Sequence, residues 1–124
     1  MKTETDRGTS AGQSRPREPL PEQVVELTAR RLQVIAEPTR ISLLETLNEG
    51  EAGVQELADK LGLPHQNVSQ HLTRLHQAGF VDRRRSGTAT LYAIADWTAW
   101  WVVEQIARWV QSCQDDQGAS APTE

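Results

Sequence analysis

The most constraining feature of the sequence is the spacing of Ala58, Gly62 and Val68 across two stretches with helical apolar periodicity. The first stretch, residues 53–61, is followed by Gly62, which suits the left-handed position where a helix commonly ends. Ala58 is small enough to let two helices approach, and Val68 can fill the angle between them. This spacing predicts a helix-turn-helix, in which residues 64–78 form the second, recognition helix.

The predicted recognition helix has one apolar face and one polar face without acids. Val68, Leu72 and Leu75 recur at i, i+4 and i+7 and therefore share a face. The rest of the helix offers amides, hydroxyls, histidine and arginine, which can bind base edges without repelling phosphate. A polar surface helix that merely lacks acids is the alternative. The predicted DNA-contacting residues on this helix are Gln66, Asn67, Ser69, Gln70, His71, Thr73 and Arg74.

A β-hairpin is predicted directly after the recognition helix. Residues 80–85 form its first strand, and residues 88–94, which contain Thr, Leu, Tyr and Ile, form the returning strand. Ser86 and Gly87 suit the tip between the two strands. A hairpin that follows a recognition helix is the wing of a winged helix-turn-helix.

Three consecutive arginines lie in the first strand of the predicted wing. Because side chains alternate along a strand, Arg83 and Arg85 share one side and Arg84 takes the other. A solvated charge run on an edge strand is the alternative, since cations there also oppose aggregation. With a helix-turn-helix immediately upstream, we favour phosphate or minor-groove contacts. Arg83, Arg85 and Thr88 complete the predicted DNA-contacting set.

The positive charge of the chain is concentrated in this region. The 124 residues have a formal net charge of −4, which by itself argues mildly against DNA as a partner. Residues 65–95, however, carry four arginines against the single acid Asp82, a net charge of +3. The sign of the charge at the docking face matters more than the total, so the charge distribution supports DNA binding.

Several motifs together resemble the ArsR/SmtB family of bacterial transcription regulators, over roughly residues 23–113. The resemblance implies a winged-helix dimer that binds operator DNA and is usually a repressor released by a metal or another signal. It also implies that Ser69, Gln70 and His71 occupy recognition-helix positions. Pro64 departs from the serine that often caps this helix in the family. The matching segments are residues 36–41, 57–58, 62–63, 68–72 and 77–81, of which Glu-Pro-Thr-Arg and Val-Ser-Gln-His-Leu are the most specific.

The fold class predicted from these patterns is mainly α with a small β-hairpin, a winged helix-turn-helix of about five helices and a two-stranded wing. We expect residues 22–113 to form one DNA-binding and dimerisation domain. Residues 1–21 contain few apolar groups and are predicted to be a disordered tail. Residues 114–124 are predicted to be a second disordered tail, which is acidic.

Two helices are predicted before the helix-turn-helix, over residues 22–36 and from Pro38 onward. Pro38 fits the first turn of the second helix, and Glu37 can act as its cap. Arg40 either contacts DNA or pairs with Glu37 or Glu45. We favour the ion pair.

The last predicted helix covers residues 96–113 and is rich in tryptophan. Asp96 is a good N-cap, and Trp97 and Trp101 lie on the face opposite a continuous apolar stripe. Apolar groups on two sides of a terminal helix call for a second surface, which a dimer supplies. The family resemblance also implies pairing of the first and last helices across a two-fold axis. The predicted dimer contacts are Leu27, Ala99, Val102, Val103, Ile106 and Val110.

The sequence contains no pattern typical of catalysis, and no catalytic or cofactor-binding residue is predicted. His65, His71 and His76 lie on one helix, but none of them forms the i, i+4 pair expected of metal ligands. The single cysteine, Cys113, excludes an intrachain disulfide. We expect it to be a buried free thiol, with an interchain disulfide as the less favoured alternative.

No metal site is predicted either. The family resemblance implies two recurrent ligand positions, one in the helix before the recognition helix and one on the last helix. The matching residues here supply only one carboxylate per chain, whereas tight zinc binding needs about four ligands. The matching residues are Gly53, Gln55, Asp96, Thr98, Trp109 and Ser112.

These patterns favour a sequence-specific DNA-binding regulator, with a repressor as the first choice. The alternatives are a winged helix adapted to protein interaction and a module that senses an organic ligand near Trp97, Trp100 and Trp101. The expected partners are double-stranded DNA with an inverted-repeat operator and a second copy of the chain. The effector is left open. Without an apolar run long enough for a membrane span, a cytoplasmic, nucleoid-associated protein is expected.

Overall fold

The computed structural model describes residues 18–118, which form five helices and a three-stranded antiparallel sheet. The predicted mainly α, winged helix-turn-helix fold is confirmed. Residues 1–17 and 119–124, which hold most of both predicted tails, lie outside the described residues. The elements are α1 (Glu22–Ile35), α2 (Pro38–Leu47), β1 (Ala52–Gly53), α3 (Val54–Leu61), α4 (His65–Gln77), β2 (Val81–Ser86), β3 (Ala89–Ile94) and α5 (Trp97–Gly118).

The sheet has three strands, so the predicted two-stranded wing was incomplete. β1 pairs with β3 through Ala52 opposite Tyr92 and Gly53 opposite Leu91, which gives the strand order β1-β3-β2. A strand of two residues is too short to show the alternation by which strands are recognised in a sequence. Gly53, which the apolar periodicity places in the following helix, instead pairs in the sheet and precedes the first turn of α3.

Local signals place the ends of the helices close to where they were predicted. The Glu37 side chain accepts a hydrogen bond from the backbone N–H of Arg40 at 3.0 Å, and Pro38 lies in the first turn of α2. Gly62 has a φ of 67° and ends α3 in the left-handed conformation that glycine adopts without strain. Pro64 occupies the N-cap position rather than the first turn, so α4 begins at His65.

The core lies where α2, α3, α4 and the sheet meet. Val68, Leu72 and Leu75 are fully buried, which confirms the predicted apolar face of the recognition helix. Ala58 is buried beside them, as the close approach of α3 and α4 requires. The other large side chains that are almost completely shielded from solvent are Leu43, Leu44, Leu47, Leu57 and Val81.

The last helix is longer than predicted and only its first half packs on the domain. Asp96 caps it by accepting the N–H of Thr98 at 2.9 Å, and α5 then continues to Gly118 instead of ending at Cys113. The polar residues after Cys113 include no glycine or proline before Gly118, so nothing stops the helix earlier. Cys113 is exposed in the single chain, not buried as expected, because no other part of the described chain covers this half. No helix in residues 18–118 is long and apolar enough to cross a membrane.

Candidate nucleic-acid interface

The polar face of α4 is directed away from the core and is open to solvent. Gln66, Asn67, Gln70 and Arg74 are exposed. The three buried residues Val68, Leu72 and Leu75 anchor the helix on its opposite side, and α4 carries no acid. The helix therefore presents amides and one guanidinium on a rigid support, which is the geometry required for contacts in a major groove. The predicted residues Ser69, His71 and Thr73 are half-buried at the flanks of this face.

Two flanking side chains make intramolecular contacts. The Thr73 hydroxyl donates to the backbone carbonyl of Ser69 at 2.9 Å, which leaves its methyl group and lone pairs for a partner. The His71 Nδ1 lies 3.8 Å from the Glu37 Oε1, so the cap of α2 also faces the recognition helix. The predictions did not include this Glu37–His71 contact, because the two residues are 34 positions apart and no periodicity connects them.

The three wing arginines fall into two groups, as their alternation along the strand requires. Arg84 donates to the Glu51 carboxylate through Nε at 3.0 Å and Nη2 at 2.6 Å. The Arg84 hydrogen bonds lower the pKa of the Glu51 carboxyl from its ordinary value, and the same bonds raise the pKa of Arg84. Arg83 and Arg85 point to the other side of β2 and are exposed. Although all three arginines are exposed, only Arg83 and Arg85 carry wing charge that no carboxylate within residues 18–118 neutralises.

The tip of the wing is displaced by one residue from its predicted position. Ser86 pairs with Ala89, so the turn consists of Gly87 and Thr88 rather than Ser86 and Gly87. Gly87 has a φ of 64°, as a two-residue hairpin turn requires at its first central position. Thr88 is exposed at the tip, beyond the arginines of β2.

Arg40 does not form the ion pair that the sequence favoured. Its backbone N–H bonds to Glu37, but no carboxylate in residues 18–118 lies within ion-pair distance of its guanidinium. The Nε atom of Arg40 is buried, and no atom of the described residues forms a hydrogen bond with it. Glu37 is instead used by the backbone of α2 and by His71.

Large apolar side chains are exposed on both α1 and α5. Of the six predicted dimer contacts, Leu27, Ile106 and Val110 are exposed and Val102 is half-buried. Ala99 and Val103 are buried within the core of the chain itself. Trp100 also packs against this core, whereas Trp97, Trp101 and Trp109 are 54%, 59% and 68% exposed. The exposed apolar residues of α1 that accompany Leu27 are Val24, Val25 and Leu32.

Arg31 is a contact residue that the sequence analysis missed. It lies on α1, and its Nη1 donates to the backbone carbonyl of Ala78 at the end of α4, at 3.1 Å. Its guanidinium carbon is 6.0 Å from the centre of the Phe80 ring. No local pattern connects residues 47 positions apart, so only the packing of α1 against α4 reveals this contact.

The described residues contain no cluster of metal-ligating side chains. Across residues 18–118, no three histidine, cysteine, aspartate or glutamate side chains are placed to hold a metal ion together. Asp96, the one carboxylate at a family ligand position, is used as the cap of α5.

The helix-turn-helix and the wing together define the winged helix-turn-helix class of proteins. A sequence profile described as "Bacterial regulatory protein, arsR family" matches residues 37–83. The regulator NmtR of Mycobacterium tuberculosis is 34% identical over 85 residues, which cover 68% of this chain and 71% of NmtR. The chain belongs to the ArsR family of bacterial regulatory proteins.

Other relatives agree with this assignment. The regulator KmtR of Mycobacterium tuberculosis is 39% identical over 77 residues, which cover 62% of this chain but only 59% of KmtR. The crystal structure of Rv0081 from Mycobacterium tuberculosis superposes with a TM-score of 0.68 at 33% identity. That match covers 78% of this chain and 98% of Rv0081.

Proposed function

We propose that the protein is a sequence-specific transcription regulator, acting as a repressor, that binds an inverted-repeat operator as a homodimer. The observation that carries this proposal is the polar face of α4. This face exposes the amide side chains of Gln66, Asn67 and Gln70, and the opposite side of the helix is buried in the core. Amides at such positions can make paired hydrogen bonds to adenine, which discriminates between bases.

The homodimer is supported by the apolar surface of α1 and α5. A monomer rarely exposes many large apolar side chains unless another surface covers them, and both α1 and α5 expose several. Ile106, Val110 and Trp109 lie on the half of α5 that no described part of the chain covers. A dimer that reads two half-sites needs its two recognition helices about one turn of DNA, roughly 34 Å, apart. An operator read in this way is an inverted repeat.

The proposal is tested by selecting binding sites from a random duplex library with the wild-type protein. We expect an inverted repeat to emerge. Changing Gln70→Ala should then reduce discrimination between the selected site and random DNA by about 1–3 kcal/mol, as expected for loss of a paired base contact. Competition binding at fixed salt measures this difference.

The matched control for Gln70 is Gln105→Ala, an exposed glutamine on α5 away from the polar face of α4. It should leave both affinities at the wild-type level. If Gln70→Ala weakened selected and random DNA equally, Gln70 would contact the backbone only. The assignment of the base-reading face would then be wrong.

The regulator is also expected not to respond to metals through the sites usual in its family. The residues at the matching positions, which include Gly53, Gln55, Thr98 and Trp109, cannot complete a tetrahedral zinc site. Titration with zinc, nickel, copper and arsenite can be followed by tryptophan fluorescence and by operator binding. We expect no stoichiometric, sub-micromolar binding and no release of DNA. Release of operator by any of these ions at such concentrations would contradict the prediction.

A further inference from the structure

Arg31 connects α1 to the turn that joins the recognition helix to the wing. The guanidinium donates to the carbonyl of Ala78, the residue that ends α4, at 3.1 Å. It also lies over the ring of Phe80, the residue immediately before β2, at 6.0 Å from the ring centre. A single side chain of α1 therefore contacts the point where both DNA-contacting elements meet.

The turn that Arg31 contacts has a defined geometry. The N–H of Gly79 bonds to the His76 carbonyl at 3.0 Å, and the N–H of Phe80 bonds to the Leu75 carbonyl at 2.9 Å. Gly79 has a φ of 85°, so the turn is a glycine-dependent helix end of the Schellman type. These bonds do not use the Ala78 carbonyl, which accepts from Arg31. A cation at this position also interacts favourably with the negative end of the helix dipole.

Few other contacts restrain α1. Its last residue, Ile35, is buried, but Val24, Val25 and Leu27 in its first half are exposed. Among residues 18–118, the bond from Arg31 to Ala78 is the one side-chain hydrogen bond between α1 and another element. In the proposed homodimer, the partner chain covers the exposed half of α1. The position of α1 relative to the two-fold axis then affects the position of α4 through the Arg31–Ala78 bond and through the packing of Ile35 in the core.

We propose that Arg31 is a positioning residue that holds the recognition helix at a set place relative to the dimer axis, and thereby sets the spacing of half-sites that the dimer accepts. The inference rests on the proposed function as an inverted-repeat reader. Arginine suits this role better than lysine, because its planar group can bond to a carbonyl and lie over an aromatic ring at the same time.

The test uses the full chain and the inverted repeat selected with the wild-type protein. The half-sites are moved apart or together by one base pair, which displaces one of them by about 3.4 Å and rotates it by about 35°. The wild type should bind the selected spacing far more tightly than either altered spacing. Arg31→Ala should lose about threefold to tenfold at the selected spacing, the range expected for one hydrogen bond. The same variant should lose less affinity at the altered spacings. The ratio of its affinity at the selected spacing to its affinity at an altered spacing should therefore be smaller than in the wild type.

Arg30→Ala is the matched control, because it removes the same charge from the neighbouring exposed position of α1. It should keep the wild-type ratio of affinities between spacings. If Arg31→Ala fails to fold in a thermal unfolding assay, Arg31→Lys is measured instead. This variant keeps the charge but not the planar group, and its ratio should shrink in the same direction.

The ratio of affinities between spacings separates positioning from a general structural effect. If the Arg31 variant keeps the wild-type ratio of affinities, with or without an equal loss of affinity at every spacing, the positioning role of Arg31 is wrong. The proposed function is not affected by that result. A wild type that binds all spacings equally contradicts the reading of paired half-sites, and with it both the proposed function and this inference. A smaller ratio for the Arg31 variant, with Arg30→Ala unchanged, supports the inference.

Discussion

Replacing Ile106 with aspartate is expected to convert the protein into monomers whose affinity for the operator is about a hundredfold lower or worse, as expected when two linked half-site contacts become one. Ile106 is 52% exposed in the single chain, so the change should leave the fold of the protomer intact. In the proposed dimer, the same carboxylate would be buried in an apolar contact without a partner, which is strongly unfavourable.

The measurement is sedimentation at micromolar concentration, combined with operator binding and thermal unfolding. Gln111→Asp is the matched control, because it places the same charge on an exposed residue on the side of α5 opposite Ile106 and Trp109. It should remain dimeric. Val103→Asp would be a poor substitute for Ile106→Asp, since Val103 belongs to the core of the chain and a charge there should unfold the protomer. A wild type that sediments as a monomer, or a dimeric Ile106→Asp variant, would contradict the proposed interface.

Replacing Arg83 and Arg85 together with alanine is expected to weaken binding to operator and random DNA alike and to flatten its salt dependence. Each lost phosphate contact should reduce the slope of log affinity against log salt by about 0.9. Because a dimer has two wings with two such arginines each, up to about four phosphate contacts can be lost. The reduction in the salt slope can then reach about four times the value for one contact. The affinity should fall most at low salt, where counterion release contributes most.

Arg84→Ala is the control for this experiment, since the guanidinium of Arg84 is occupied by the carboxylate of Glu51. Its salt slope should stay close to that of the wild type. Binding measured between about 50 and 200 mM salt is sufficient, because several phosphate contacts change affinity by orders of magnitude over that range. If the slope of the Arg83/Arg85 double variant were unchanged, the wing arginines would not contact phosphate.

Much of the fold could be predicted because its signals are local. The glycine at the end of α3, the cap and proline of α2, and the apolar stripe of α4 each depend on residues within one or two helical turns. Periodicity and turn chemistry report such short-range constraints directly. The start of α4 and the tip of the wing were displaced by about one residue, which is ordinary for element boundaries, whereas the end of α5 lies five residues beyond its predicted position.

The remaining features of the fold and of the site depend on which segments, far apart in the sequence, meet in the structure. β1 is a strand only because β3 lies beside it, and two residues alone show no strand pattern. Arg84 and Glu51 are 33 positions apart in the sequence. Their pairing decides which wing arginines have no carboxylate partner among the described residues. Arg31 and Ala78 are joined across 47 positions. Hydrogen bonds of this kind follow from the packing of whole elements and leave no spacing signal in the chain.

The apolar stripe of α5 shows most clearly the difference between what the sequence determines and what the tertiary structure decides. The sequence by itself determined that Ala99, Val103, Ile106 and Val110 share one face, because that follows from the helical repeat. Only the tertiary structure decided that the first two are buried in the protomer core and the last two remain exposed. The physical reason is that α5 extends beyond the body of the domain. Periodicity specifies the face on which a side chain lies, but burial depends on where the neighbouring elements end.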